Sequence, residues 1–202
     1  MTTLLLIGVT ITISILAFNR RLLMQRLILW PQAITEKHQY ERLLTHGFVH
    51  ADPQHLIFNM FTLFFFGRAV EGFYQTELGI AGFVLFYCSA IVAAIIPSFL
   101  QHRKDRGYRS LGASGGVSAV LFAFILFRPW STIYVFVLPV PAILYAVAYF
   151  GWTWYQDHLK RDNINHSAHL WGAVYGVALT LAIEPRAFAF FVNQLSQPHF
   201  GP

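Results

Sequence analysis

Six uninterrupted apolar runs dominate this chain, roughly Thr3–Phe18, Pro53–Tyr74, Gly79–Leu100, Ser114–Phe127, Ser131–Trp154 and His166–Ile183. A helix needs about 20 apolar residues to cross the hydrocarbon core of a bilayer, and most of these runs approach or exceed that. The other spanning architecture, a closed barrel, requires short segments of alternating polarity, and these runs do not alternate. Only 11% of the residues are charged, against about 25% in a soluble domain. The chain therefore reads as a multi-pass helical membrane protein.

The net charge of +5 does not point to nucleic acid, because of where the basic residues fall. Arg20-Arg21, Arg103-Lys104-Asp105-Arg106 and Lys160-Arg161 lie in the gaps between apolar runs. That is the distribution of juxtamembrane anchors facing anionic headgroups. The single cysteine, Cys88, sits inside an apolar run and reads as a small buried hydrophobe, available neither for an internal disulfide nor for a zinc site. Leu4 to Phe18 is apolar but follows no Lys or Arg and precedes no small-x-small cleavage site, so it reads as a retained first helix.

The connections differ in character. Residues 19–52 mix Leu22, Leu23, Leu27, Ile28, Leu29 and Trp30 with Arg20, Arg21 and Arg26, the pattern of a segment lying in the membrane interface. The stretch 101–113 is basic and ends near Gly112, and 156–165 is polar. Residues 1–186 are expected to form one domain and 187–202 a tail. No internal repeat supports an inverted-repeat transporter. The fourth run, Ser114–Phe127, is short for a span, which suggests that its first residue lies below the membrane surface in a water-accessible cavity.

Polar and ionisable residues inside apolar helices are costly and so suggest function. Ser114 lies between glycines in Gly112-Ala113-Ser114-Gly115-Gly116, where a chain turns into a helix. Backbone N–H groups in a first helical turn lack intrahelical acceptors, so a nucleophile there would have an oxyanion donor beside it. The structural alternative is a serine N-cap on a small-residue packing face. His169 lies three residues before Gly172, which with Gly176 makes a small-xxx-small face. Gly115 and Ala119 make another such face beside Ser114, and two smooth faces would bring Ser114 and His169 within hydrogen-bonding reach. His55 and Asn59 share one helical face and could both donate to an oxyanion, or else tie their helix to a loop carbonyl. No Asp or Glu lies in the runs carrying Ser114 and His169, which favours a dyad over a triad. The chain lacks H-E-x-x-H, and a metal site built from His46, His50 and His55 is the less favoured reading.

From about Arg42 to Gly176 the chain resembles the rhomboid intramembrane serine proteases. Three motifs on three helices carry the resemblance: His55-Leu56-Ile57-Phe58-Asn59, Gly112-Ala113-Ser114-Gly115, and Ala168-His169 followed by Gly172 and Gly176. It implies an all-α membrane protein, a six-transmembrane-helix bundle, in which Ser114 and His169 form the catalytic dyad without cofactor or metal. His55, Asn59 and the Ser114 N–H would bind the oxyanion, supported by His50, Gly112, Gly115 and Gly172. Glu71 would act structurally, as would Arg42, although Glu41 precedes it where the family has Trp. Ser118 stands where many members carry a Tyr that stacks under the catalytic histidine, and Phe122 replaces a Gly of some members.

The implied substrates are single-pass transmembrane proteins cleaved within the lipid bilayer, and the implied location is a bacterial inner membrane. A catalytically silent rhomboid-like protein that routes membrane clients is the alternative, although such proteins usually lack the Ser or the His. The basic residues favour the Ser114 side facing the cytoplasm by the positive-inside rule. The family topology implies the reverse.

Overall fold

The computed structural model describes residues 1–135, 137–159 and 164–198, and the expected anchor Lys160-Arg161 and the end of the tail lie outside them. Helix α1 (Thr2–Phe18) is followed by short helices α2 (Arg21–Leu27), α3 (Pro31–Lys37) and α4 (Arg42–Thr45), the last running into a 3-10 turn at His46–Phe48. Helices α5 (Pro53–Thr62) and α6 (Arg68–Leu78) are joined through a π-helical turn, Leu63–Gly67, into one rod. Helices α7 (Gly82–His102) and α8 (Ser114–Phe127) follow, then strands β1 (Thr132–Val135) and β2 (Leu138–Pro141), then α9 (Ala142–Leu159), α10 (His166–Ile183) and α11 (Arg186–Leu195).

Each of the six apolar runs forms a helix over much of its length. Among the described residues two helices are long and apolar enough to cross a membrane, Pro53–Leu78 and Gly82–His102. A third qualifies if α10 and α11, bent by 116° at their junction, count as one span. Helices α1 and α8 are apolar but shorter. The outer faces carry exposed Leu5, Ile57, Phe61, Phe65, Leu85, Val147 and Trp152, a density of large apolar groups that suits lipid rather than water as the solvent.

The fifth run differs from expectation. Nearly half of it, up to Pro141, is not helix but carries an antiparallel hairpin with Thr132 opposite Pro141 and Val135 opposite Leu138. Pro139 and Pro141 supply no N–H and disfavour helical backbone before them, while Thr132, Ile133, Val135 and Val140 favour extended chain. Helix α9 begins immediately after Pro141, where the hairpin closes through the Ala142 N–H donating to the Ser131 carbonyl at 2.9 Å. Helix α11, within the expected tail, was also not anticipated. It packs Ala187 inward, exposes Phe188 and Val192, and accepts a hydrogen bond from Trp130 Nε1 at the Gln194 carbonyl (2.8 Å).

Helix α8 runs through the middle of the bundle, with ten of its fourteen residues buried. A methyl placed on Gly172 of α10 would lie 2.1 Å from the Gly115 carbonyl oxygen, and one on Gly176 would lie 2.2 Å from that of Ala119. The two backbones are thus in direct contact, as the two small-residue faces required. A methyl on Gly115 would meet the Ala94 Cβ of α7 at 2.7 Å, so α8 is gripped from both sides. Elsewhere the core is aromatic: Tyr74 stacks on Phe86 with centroids 3.9 Å apart, and its hydroxyl meets Thr180 Oγ1 at 2.6 Å, tying α6 to α10. Glu71 accepts from the Thr2 and Thr3 N–H groups at 2.7 and 3.1 Å and from Thr3 Oγ1 at 2.6 Å. A carboxylate at a helix N-terminus satisfies otherwise orphaned donors, which is the structural role implied for Glu71.

Candidate active site

The loop that delivers Ser114 is held by the segment between α1 and α5. Leu29 and Ser110 exchange backbone hydrogen bonds at 2.9 and 3.3 Å, and the Arg109 guanidinium lies 4.1 Å from the Trp30 ring centroid. Arg42 holds that segment together in turn: its Nη1 donates to the Gln25 and Ile28 carbonyls at 2.8 and 2.7 Å, and its Nε to Gln39 Oε1 at 2.7 Å. None of these bonds needs a tryptophan before Arg42, so Glu41 leaves its anchoring intact.

Gly112 turns the chain with φ +118, in the region that favours glycine, and its N–H donates to the His46 carbonyl at 2.9 Å. A methyl there would also strike the His55 ring, 2.6 Å from Cε1. The next N–H, that of Ala113, donates to His50 Nε2 at 3.4 Å. This fixes the His50 tautomer: Nδ1 carries the proton and donates to Ser14 Oγ (2.9 Å), which donates to the Phe48 carbonyl (3.0 Å). His50 is fully buried, and burial, with His55 adding in the same direction, pushes its pKa down to about 3, so the ring stays neutral. Burial likewise holds His46 down to about 4, with Nδ1 against the Arg42 carbonyl.

Ala113 is the residue before α8, and no side chain caps the helix. Ser114 therefore occupies the first helical position rather than the N-cap, which leaves its hydroxyl for another partner. That partner is His169: Nε2 and Ser114 Oγ are 2.7 Å apart. His169 is positioned by Asn165, the N-cap of α10, whose Oδ1 accepts from the Ala168 N–H (3.0 Å) and from Ser98 Oγ of α7 (2.9 Å). The Asn165 amide donates to the Tyr108 hydroxyl (3.0 Å) and to Ser110 Oγ (3.3 Å). One side chain thus joins the start of α10, helix α7 and the loop leading to Ser114.

His55 and Asn59 line the same cavity of about 680 Å³ as Ser114 and His169. The His55 ring meets that of His50 edge to face, with centroids 5.0 Å apart. Asn59 Nδ2 donates one hydrogen to the His55 carbonyl at 3.0 Å. The structure therefore brings together every candidate the sequence offered: Ser114, His169, His55 and Asn59 around the cavity, His50 and Gly112 behind the serine, and Gly115 against Gly172. Sequence reading missed Asn165, although an Asn just before an apolar helix is an N-cap signal. It also missed Tyr149 of α9, whose ring lies nearly parallel to that of His169 (10°, centroids 6.3 Å apart) and whose hydroxyl meets Ser118 Oγ at 2.7 Å.

Fold and cavity together define a helical membrane protein with a polar site sunk among apolar helices. Residues 37–186 match the family model of the rhomboid domain. The chain is 32% identical over 166 residues (73% of its length) to RHOMBOID-like protein 12, mitochondrial, of Arabidopsis thaliana, covering 48% of that protein. It is 30% identical over 162 residues (78% of its length) to Rhomboid protein 1, mitochondrial, of Saccharomyces cerevisiae, covering 45%. The chain belongs to the rhomboid family and spans about half the length of these curated relatives. Both relatives carry mitochondrial names, so the expected bacterial inner membrane finds no support in them, and the supported location is membrane alone.

Proposed function

We propose that this chain is an intramembrane serine endopeptidase that cleaves transmembrane segments of single-pass membrane proteins, working from a six-helix bundle whose short helices keep the site below the bilayer surface. The observation that carries the reading is the 2.7 Å contact between Ser114 Oγ and His169 Nε2 inside a cavity shared with His55 and Asn59. His169 Nε2 accepts the Ser114 proton as Oγ attacks the scissile carbonyl. The negative charge on the carbonyl oxygen is stabilised by the Ser114 N–H, by the His55 ring N–H and by the Asn59 amide. His169 then protonates the leaving amine, and water, activated by the same ring, releases the acyl group. A substrate helix shields its own peptide bonds, so it must unwind before Ser114 can reach one.

Labelling of the detergent-solubilised protein with a fluorophosphonate probe tests this reading. Labelling is expected in the wild type and is expected to vanish in both Ser114→Ala and His169→Ala. A folded wild type that stays unlabelled, beside an active serine hydrolase labelled in the same tube, would sink the protease reading. It would favour a silent client-binding rhomboid.

A further inference from the structure

Helix α9 contributes a side chain to the site that none of the three motifs contains. Tyr149 sits with its ring nearly parallel to that of His169, 10° between planes and 6.3 Å between centroids. Its hydroxyl meets Ser118 Oγ at 2.7 Å. Ser118 is buried and follows Ser114 by four residues, so it lies on the same face of α8 one turn below the nucleophile. Two further rings restrict Tyr149 from the sides, Tyr145 and Phe122, each with its centroid 5.7 Å away. The tyrosine is therefore fixed at both ends, and all these groups except Phe122 line the cavity with Ser114.

We infer that Tyr149 is a positioning residue for His169, a flat wall borne by α9 and latched to α8 through Ser118, an assignment that rests on the protease reading. Two physical effects follow from the geometry. A parallel ring limits rotation of the imidazole about its own bonds, which keeps Nε2 aimed at Ser114 Oγ. The π-face also attracts the imidazolium that forms once His169 has taken the serine proton, an interaction absent before proton transfer. Stabilisation that appears only during reaction raises kcat rather than lowering KM. Ser118 is the latch: with its hydroxyl removed, the ring stays but its angle is less constrained.

The test compares wild type, Tyr149→Ala, Tyr149→Leu and Tyr149→Phe in detergent, with one chemical and one geometric readout. The chemical readout is kcat and KM on a transmembrane peptide substrate. The geometric readout is the NMR resonance of the His169 ring, assigned by its loss in His169→Gln. Removing the ring in Tyr149→Leu or Tyr149→Ala is expected to lower kcat about tenfold with KM little changed, and to move the His169 resonance. Tyr149→Phe is expected to keep the resonance near its wild-type position and to recover most of kcat. Tyr149→Leu preserves much of the side-chain volume, so it carries the test if Tyr149→Ala does not fold. Wild-type kcat and an unmoved His169 resonance in folded Tyr149→Leu would overturn the proposal, as would a Tyr149→Phe loss equal to that of Tyr149→Leu. If the wild type shows no Ser114-dependent labelling, the protease reading falls, while the resonance still decides whether Tyr149 holds the His169 ring.

Discussion

Substituting Gly172 by alanine puts the α8–α10 contact to its hardest test. The added methyl would sit 2.1 Å from the Gly115 carbonyl oxygen and 3.1 Å from the Gly115 Cα, where ordinary contact begins at 3.4 Å. Both clashing atoms are backbone, so no rotamer change relieves them, and the helices must part locally by about 1 Å. Gly115 adjoins Ser114, and Gly172 is one helical turn from His169, so the displacement falls on the 2.7 Å Ser114–His169 contact. Opened by about 1 Å, that pair lies beyond hydrogen-bonding distance. A misplacement of that size costs about 10²-fold in rate, and overpacking costs about 1–3 kcal/mol of stability. The assay is kcat and KM on a transmembrane peptide in detergent and in vesicles, with the thermal midpoint measured in parallel. The expected result is a kcat about a hundredfold lower, KM little changed, and a lowered midpoint. Gly151→Ala on α9 is the control, since a methyl there meets nothing within 4 Å and should leave activity unchanged. Gly172→Ala activity within about threefold of wild type, with an unchanged midpoint, would refute the claim that direct backbone contact sets the dyad distance.

Gly112→Ala combines a strained φ with a collision at the His55 ring, so fluorophosphonate labelling should fall by at least about tenfold. Asn165→Ala removes the α10 cap and the bonds to Ser98, Tyr108 and Ser110 together, and should cost about 1–3 kcal/mol in a denaturant titration. His46 and His50 are held neutral by burial, at about 4 and about 3 against an ordinary 6.5. Below pH 6.5 the unfolded chain therefore binds protons that the folded one refuses, so stability should be level above that pH and fall as pH drops toward 4, more gently in His50→Asn. Helix α7 is long and apolar enough to cross a membrane. Reporters inserted at Ile80 and at Asp105 should then read out on opposite faces, and readout on the same face would remove α7 as a span.

What was legible from sequence and what was not divides along a physical line. Ser114, His169, His55 and Asn59 could be found because each is a polar residue in an apolar helix, and because glycine spacing announces where backbones touch. The hairpin at Thr132–Pro141 was missed because hydropathy scores an apolar strand and an apolar helix alike, although the two prolines and the β-branched residues distinguish them. Tyr149 had no local signal at all. A tyrosine in an aromatic-rich helix looks like any other, and only the packing of α9 beside α8 and α10 brings its ring to His169. Ser118 shows the consequence most directly. Read along the chain, a serine there is the loss of an aromatic support for His169. In the folded molecule that hydroxyl lies 2.7 Å from the hydroxyl of Tyr149, whose ring comes from another helix and lies nearly parallel to that of His169. Departure from a family pattern at one position is therefore read together with the side chains that the fold packs beside it, here a tyrosine of α9 hydrogen-bonded to Ser118.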